Sequence, residues 1–190
     1  MTSLINKHIS EHVHVVSQLN SLEQCIADVS KVLIEALNQK KTIFWCGNGG
    51  SASDSQHLAG ELIGRFVGNR KPLKSIALNS DSAVMTCIVN DYGYEHIFSR
   101  QVEGLGDKGD VLIGISTSGN SENVLNAFRV ANDIGMHTIG MLGKGGGKAT
   151  SFVNHSIIIP SDITARVQEM HILIGHILCD LIEEGLNLKL

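Results

Sequence analysis

The 190 residues are 43% hydrophobic and 18% charged, with 20 Gly, 2 Pro and 9 His, the composition of a soluble globular chain with room for one domain and a sizeable core. A formal net charge of −4 and 15 scattered Lys and Arg leave no basic stripe to neutralise a phosphate backbone, so no nucleic-acid partner is expected. No apolar run reaches membrane-spanning length, residues 1–20 hold no signal-peptide core, and Cys25, Cys46, Cys87 and Cys179 form no CxxC or CxxH pair, so the expectation is a cytoplasmic protein with buried thiols and no membrane partner.

Leu4, Ile5, His8, Ile9, His12, Val13, Val16 and Leu19 recur at three- and four-residue steps and predict an amphipathic helix. Ser21 and Gln24 have the spacing of a capping box that would restart a second helix, with Leu22, Cys25, Ile26, Val29, Leu33 and Leu37 as its stripe. Residues 42–46 form a short apolar strand that runs into Gly47-Asn48-Gly49-Gly50-Ser51-Ala52-Ser53, and a helix resumes near Ser53. Strands are expected at 75–78, 110–115, 137–142 and 156–159, with helices near 83–89 and 95–104, a helix capped by Gly135, and a last helix over about 163–186. Such alternation predicts an α/β fold: one doubly wound, mostly parallel five-stranded sheet of flavodoxin type, with extra N-terminal helices and a long C-terminal helix. The last helix is apolar on more than one face (Val167, Met170, Ile172, Leu173, Ile174, Ile177, Leu178, Leu181, Ile182), which predicts an oligomer.

In open α/β sheets, ligands bind beyond the carboxyl ends of the strands. Two loops there are rich in Gly, Ser, Thr and Asn, and each leads into a helix whose first N–H groups face an anion. Ser116, Thr117, Ser118 and Ser121 offer four hydroxyls, a density suited to a phosphate monoester. Ordinary turn chemistry, with Ser121 as an N-cap, would use the same residues. Gly47, Gly49 and Ala52 also satisfy a dinucleotide fingerprint, but the second strand ends in Asn79 and the next acid, Asp81, lies about thirty residues past the glycines. The run 143–148, Gly-Lys-Gly-Gly-Gly-Lys, lacks the Lys-Ser or Lys-Thr of a P-loop and reads as a flexible surface loop.

His57 and Glu61 are one helical turn apart and share a face. On the last helix, Gln168 and His176 are two turns and about 80° apart, so both could edge one cleft, while His171 points elsewhere. Two imidazoles, a carboxylate and an amide oxygen would make a four-ligand set for a divalent ion such as zinc, though spacing alone does not bring the two helices together.

Cys46-Gly47-Asn48-Gly49-Gly50-Ser51, Gln56-His57, Glu61, Gly64-Arg65-Phe66, Asn90-Asp91, Gly114-Ile115-Ser116-Thr117-Ser118-Gly119-Asn120-Ser121 and Arg166-Val167-Gln168-Glu169-Met170-His171 occur in this order. In these segments, and over essentially its whole length, the chain resembles the phosphoheptose isomerases (sedoheptulose 7-phosphate isomerases) of the sugar-isomerase, or SIS, class. The resemblance implies a single SIS domain over 1–190, with 1–40 packing in the oligomer, and a homotetramer with active sites between subunits. It implies conversion of D-sedoheptulose 7-phosphate to D-glycero-D-manno-heptose 7-phosphate, the opening step toward bacterial surface heptose. It places the phosphate on Ser116, Thr117, Ser118 and Ser121, the rest of the sugar on Asn48, Gly49, Gly50, Asn90, Asp91 and Gln168, and one zinc on His57, Glu61, Gln168 and His176.

Moving a proton between C1 and C2 through an enediol requires a base and an acid, roles expected of Glu61 and His176. A carboxylate bound tightly to zinc is a poorer base, so Glu61 either alternates between the two tasks or the ion serves mainly for order. Arg65, one turn further on, would orient Glu61, pair with phosphate, or form a surface ion pair. The segments also resemble a non-catalytic SIS paralogue that associates with the bacterial replication initiator, and pentose and hexose phosphate isomerases share the fold. Glu61 and His176, both present, favour an enzyme over that paralogue, while the motifs alone do not separate the heptose enzyme from a pentose or hexose phosphate isomerase.

Overall fold

The computed structural model describes residues 1–189. Helices α1 (Thr2–Gln18) and α2 (Glu23–Asn38) precede β1 (Ile43–Gly47), α3 (Gly50–Ile63) and β2 (Ser75–Ala77). Next come α4 (Ser82–Tyr92), α5 (Ser99–Leu105), β3 (Val111–Ser116), α6 (Glu122–Ile134), β4 (His137–Leu142), β5 (His155–Ile158) and α7 (Thr164–Gly185). The five strands form one parallel sheet in the order β2-β1-β3-β4-β5. After β1 the chain adds β2 on one side and then crosses to place β3 on the other. The switch point therefore lies between β1 and β3, where the first turns of α3 and α6 diverge and leave a crevice.

Alternation along the strands divides the core in two. Ile43, Trp45, Ile113, Ile115, Ile139 and Met141 face Val29, Leu33, Leu58, Leu62, Met170, Ile174 and Leu178 of α2, α3 and α7. Phe44, Cys46 and Leu112 face the opposite layer, built on Phe98, Val102, Val124 and Phe128 of α5 and α6. β1 and β3, at the centre of the sheet, are thus buried on both sides, which is why they read as unbroken apolar runs.

Four expectations change. The hydroxyl of Ser21 donates to the Gln18 carbonyl (2.7 Å) rather than to a helix N-terminus. A 3-10 turn, Leu19–Leu22, carries α1 directly into α2, leaving no free first turn for a capping box to serve. Cys46 and Cys179 are buried, but Cys87 is exposed on α4, where its Sγ lies 3.7 Å from Asp91. The glycine run is no loose loop. It lies within a tight turned segment (Lys144–Ser151) that packs against the serine loop, with Gly146 buried. A Cβ built on Gly119 would come within 1.8 Å of the Gly146 carbonyl oxygen, and Gly119 itself has φ +62°. Lastly, His8 and His12, read from sequence only as stripe positions, help fasten α1 to α7: Arg166 donates to the His8 carbonyl (2.8 Å) and pairs with Glu169, and His12 Nδ1 lies 2.7 Å from the same carboxylate.

Leu4, Ile5, Ile9 and Val13 stand exposed along α1, and Ile177 and Leu181 line an apolar groove with Leu19, Ile26 and Ala27. Among the described residues, no helix is long and apolar enough to cross a membrane.

Candidate active site

The two polar loops meet at the switch point. Asn48, Ser51, Ile115, Ser116, Thr117, Ser121 and Gln168 line a small cleft of about 70 Å³. Ser121 is the residue before the first turn of α6, yet its hydroxyl makes no cap bond. Its Oγ instead lies 3.2 Å from Ser116 Oγ. The turn-chemistry reading is therefore only half met: Ser121 occupies the capping position while its hydroxyl faces the cleft. Ser118 does serve the turn, accepting from the Asn120 backbone N–H (3.2 Å).

The loops are joined by a reciprocal amide pair. Asn48 Nδ2 donates to Asn123 Oδ1 and Asn123 Nδ2 donates to Asn48 Oδ1, each at 2.9 Å. The Tyr94 hydroxyl donates to the same Asn48 oxygen (2.8 Å). Asn123 is buried, and its Oδ1 also accepts from the Val124 backbone N–H (2.9 Å), which fixes the amide that holds Asn48.

Helices α3 and α7 run side by side away from the cleft. Near their start, the Gln168 amide lies against Gly50, where a Cβ would sit 2.5 Å from its Nε2. Two turns along, His57 Nε2 lies 3.1 Å from Glu61 Oε1 and 3.0 Å from His176 Nε2. One ligating atom from each of His57, Glu61 and His176 falls within 4.8 Å of the other two. That is the donor set of a three-ligand zinc site with one place open. Gln168 precedes His176 by eight residues, roughly 12 Å of helix rise, and stands at the Gly50 end of the helix pair. His171 is a core residue: its Nε2–H donates to the Leu142 carbonyl (3.2 Å), and burial, acting against that bond, lowers its pKa to about 4, which keeps it neutral.

The SIS domain family model matches residues 7–143. The chain belongs to the SIS domain family. Within it, the chain is 50% identical over 185 residues to the phosphoheptose isomerase of Campylobacter jejuni, covering 97% of this chain and 100% of that one. It is 52% identical over 181 residues to the phosphoheptose isomerase of Helicobacter pylori, covering 95% and 94%. The solved phosphoheptose isomerase of Neisseria gonorrhoeae superposes with a TM-score of 0.92 at 38% identity, over 96% of this chain and 98% of that chain. This SIS-domain protein is therefore a sugar-phosphate isomerase of the phosphoheptose isomerase family, acting in heptose metabolism.

In this isomerase, Asn90 and Asp91 stand exposed at the end of α4, hydrogen-bonded to each other (2.7 Å), beside the turn that delivers Tyr94. Arg65 is exposed, and among the described residues no ion pair includes it. Three neighbours of the site had no assigned role in the sequence: Asn123, Tyr94 and Phe66. The Phe66 ring stacks on His176 with centroids 5.6 Å apart and an interplanar angle of 25°. An Asn in the first turn of the helix after a serine loop was a readable signal. Nothing local marks Tyr94 or Phe66, whose contacts lie 46 and 110 positions away in the chain.

Proposed function

We propose that the chain, a single SIS domain over 1–190, converts D-sedoheptulose 7-phosphate to D-glycero-D-manno-heptose 7-phosphate through an enediol, in the cytoplasm. The observation that carries this reading is a serine-lined cleft at one end of α3 and, further along that helix, the His57–Glu61 pair met by His176 of α7. From Gly50 to His57 the helix rises about 10 Å. An extended seven-carbon phosphate spans roughly 9–10 Å from C1 to phosphorus at the reach per bond of an extended chain. Phosphate on Ser116, Thr117, Ser118 and Ser121 then leaves C1 and C2 near Glu61 and His176. Asn48, Gly49, Gly50, Asn90, Asp91 and Gln168 hold the intervening hydroxyls.

Glu61 takes a proton from C1 of the ketose and returns it to C2. His176 moves the matching proton between O1 and O2, so the net change is an isomerisation without an added oxidant. The donor chemistry fits zinc, held by His57, Glu61 and His176; when bound, the ion supplies electrostatic stabilisation of negative charge on the substrate oxygens. Gln168, set against the glycine loop, is assigned to the substrate, and its amide oxygen is the fourth candidate ligand for the ion.

A cleft of about 70 Å³ is far below the ~300 Å³ or more of a site that encloses a small molecule. A second copy would supply the missing wall, which supports a homotetramer with active sites between subunits. The exposed stripe of α1 and the groove beside Ile177 offer apolar surface for that assembly. Sedimentation velocity at micromolar concentration should show a four-chain species, and a single-chain boundary would overturn the assembly. The function itself is tested by incubating the protein with sedoheptulose 7-phosphate in D2O, with and without zinc. Formation of the aldose phosphate with deuterium at C2 is expected. Binding without any product or exchange would favour the non-catalytic SIS reading.

A further inference from the structure

Outside the proposed donor set, the most heavily bonded ionisable group near the site is Glu183, two turns beyond His176 on the same face of α7. Its carboxylate is fully buried and accepts from three consecutive backbone N–H groups: Phe66 (3.0 Å), Val67 (3.0 Å) and Gly68 (2.7 Å). Arg70 Nε donates to the same carboxylate at 2.8 Å, with its side chain only 1% exposed. The remaining Arg70 donors turn back to α3, bonding the carbonyls of Glu61 and Leu62, both at 2.8 Å. Those carbonyls belong to the last turn of the helix, where no intrahelical donor is left for them.

One ion pair thus ties three things together: the end of α3 that carries His57 and Glu61, the 66–68 turn, and the face of α7 that carries His176. The turn is pulled down onto α7, and its first residue, Phe66, lies over the His176 ring. His57 meets the same ring at 5.0 Å and 57°, so His176 is held by two rings of different tilt.

We propose that Arg70, Glu183 and Phe66 are positioning residues of the isomerisation, fixing the plane of the His176 ring and its distance from Glu61. The proposal rests on the assignment of Glu61 and His176 to proton transfer. Phe66 sets the ring plane by direct stacking, and the Arg70–Glu183 pair sets where Phe66 stands. A ring turned out of plane still allows substrate to bind at the serine loop but misdirects the proton donor, so the loss falls on kcat.

The test compares wild type with Phe66→Leu, Phe66→Tyr and Glu183→Gln. Readouts are kcat and KM with sedoheptulose 7-phosphate, Tm, and the His176 ring-proton resonances in histidine-labelled protein. Phe66→Leu keeps an apolar side chain and leaves the ion pair untouched. It should lower kcat roughly tenfold with KM changed by less than about twofold, in line with the cost of small misplacements at a reacting centre. The His176 ring protons should move downfield as the shielding aromatic face is lost, and Phe66→Tyr should restore both kcat and resonances. Glu183→Gln should shift the same resonances; if it does not fold, Phe66→Leu carries the test alone. Unchanged kcat and unchanged His176 resonances in Phe66→Leu would overturn the proposal, as would equal losses in the Leu and Tyr variants. If Glu61→Gln keeps its turnover, the proton-transfer assignment fails, and the resonances alone then decide whether Phe66 orients His176.

Discussion

Glu61→Gln should lower turnover about 10³-fold, the contribution typical of a positioned general base, while substrate affinity stays within a few-fold. The amide matches the carboxylate in size and can keep the contact with His57, now 3.1 Å, but it cannot take up a proton. Most of the binding contacts assigned to the substrate lie elsewhere, on the serine and glycine loops, so calorimetric titration with sedoheptulose 7-phosphate should still show saturable binding. The pattern to look for is a fall in kcat and in kcat/KM by the same factor, the mark of an interaction made only in the transition state. Near-normal turnover would refute Glu61 as the base. Loss of binding together with turnover would instead make it a ligand-holding residue.

Glu183→Ala should destabilise the fold by about 3–5 kcal/mol, because it strands the Arg70 guanidinium without its counter-charge in a dry site and orphans three backbone donors. At this chain length, that loss corresponds to a fall in Tm on the order of 10 °C, measurable by calorimetry. The pH dependence has a definite sign. Burial would raise the Glu183 pKa, but the N–H groups of Gly68, Val67 and Phe66 and the Arg70 side chain outweigh it and hold the carboxyl below its ordinary value of 4.5. The unfolded chain takes up the proton near 4.5, and the folded chain only at lower pH. The stabilisation is therefore complete above 4.5 and disappears as pH falls through the lower folded value. Glu183→Gln, which has no proton to gain, should show a flatter dependence of Tm on pH in that acid range; equal slopes would rule out this carboxylate as the source.

The sheet was legible because its central strands β1 and β3 are buried on both faces and so appear as apolar runs ending in glycine and serine loops, each followed by a helix. Boundaries moved by a few residues: α3 begins at Gly50, not near Ser53, because the glycine loop itself forms the first turn. Helix spacing put His57 on the face of Glu61, but only the resemblance joined them to His176, since that pairing depends on how α3 and α7 lie together. Gln168 was likewise joined to the ligand set only through the resemblance, and within the chain its amide lies against Gly50. Glu183 carried no signal at all. In the sequence it is one of two adjacent acids near the end of a helix, the usual pattern of a solvated tail, and its three N–H partners are supplied by a turn more than a hundred residues earlier. The glycine run 143–148 was misread for a related reason. Glycine permits both looseness and close approach, and only the partner surface tells which.

That partner surface has a practical consequence for anyone borrowing the phosphate loop. Residues 116–121 are shaped from behind by the Lys144–Ser151 segment: Gly119 leaves no room for a side chain against Gly146, its carbonyl accepts from the Ala149 N–H (2.9 Å), and Asn120 Oδ1 accepts from the Lys148 N–H (3.1 Å). A graft of the serine motif onto another parallel sheet would carry the hydroxyls without the mould that sets their spacing. The transferable unit is the pair of loops after β3 and β4, moved together with the two strands that hold them in register.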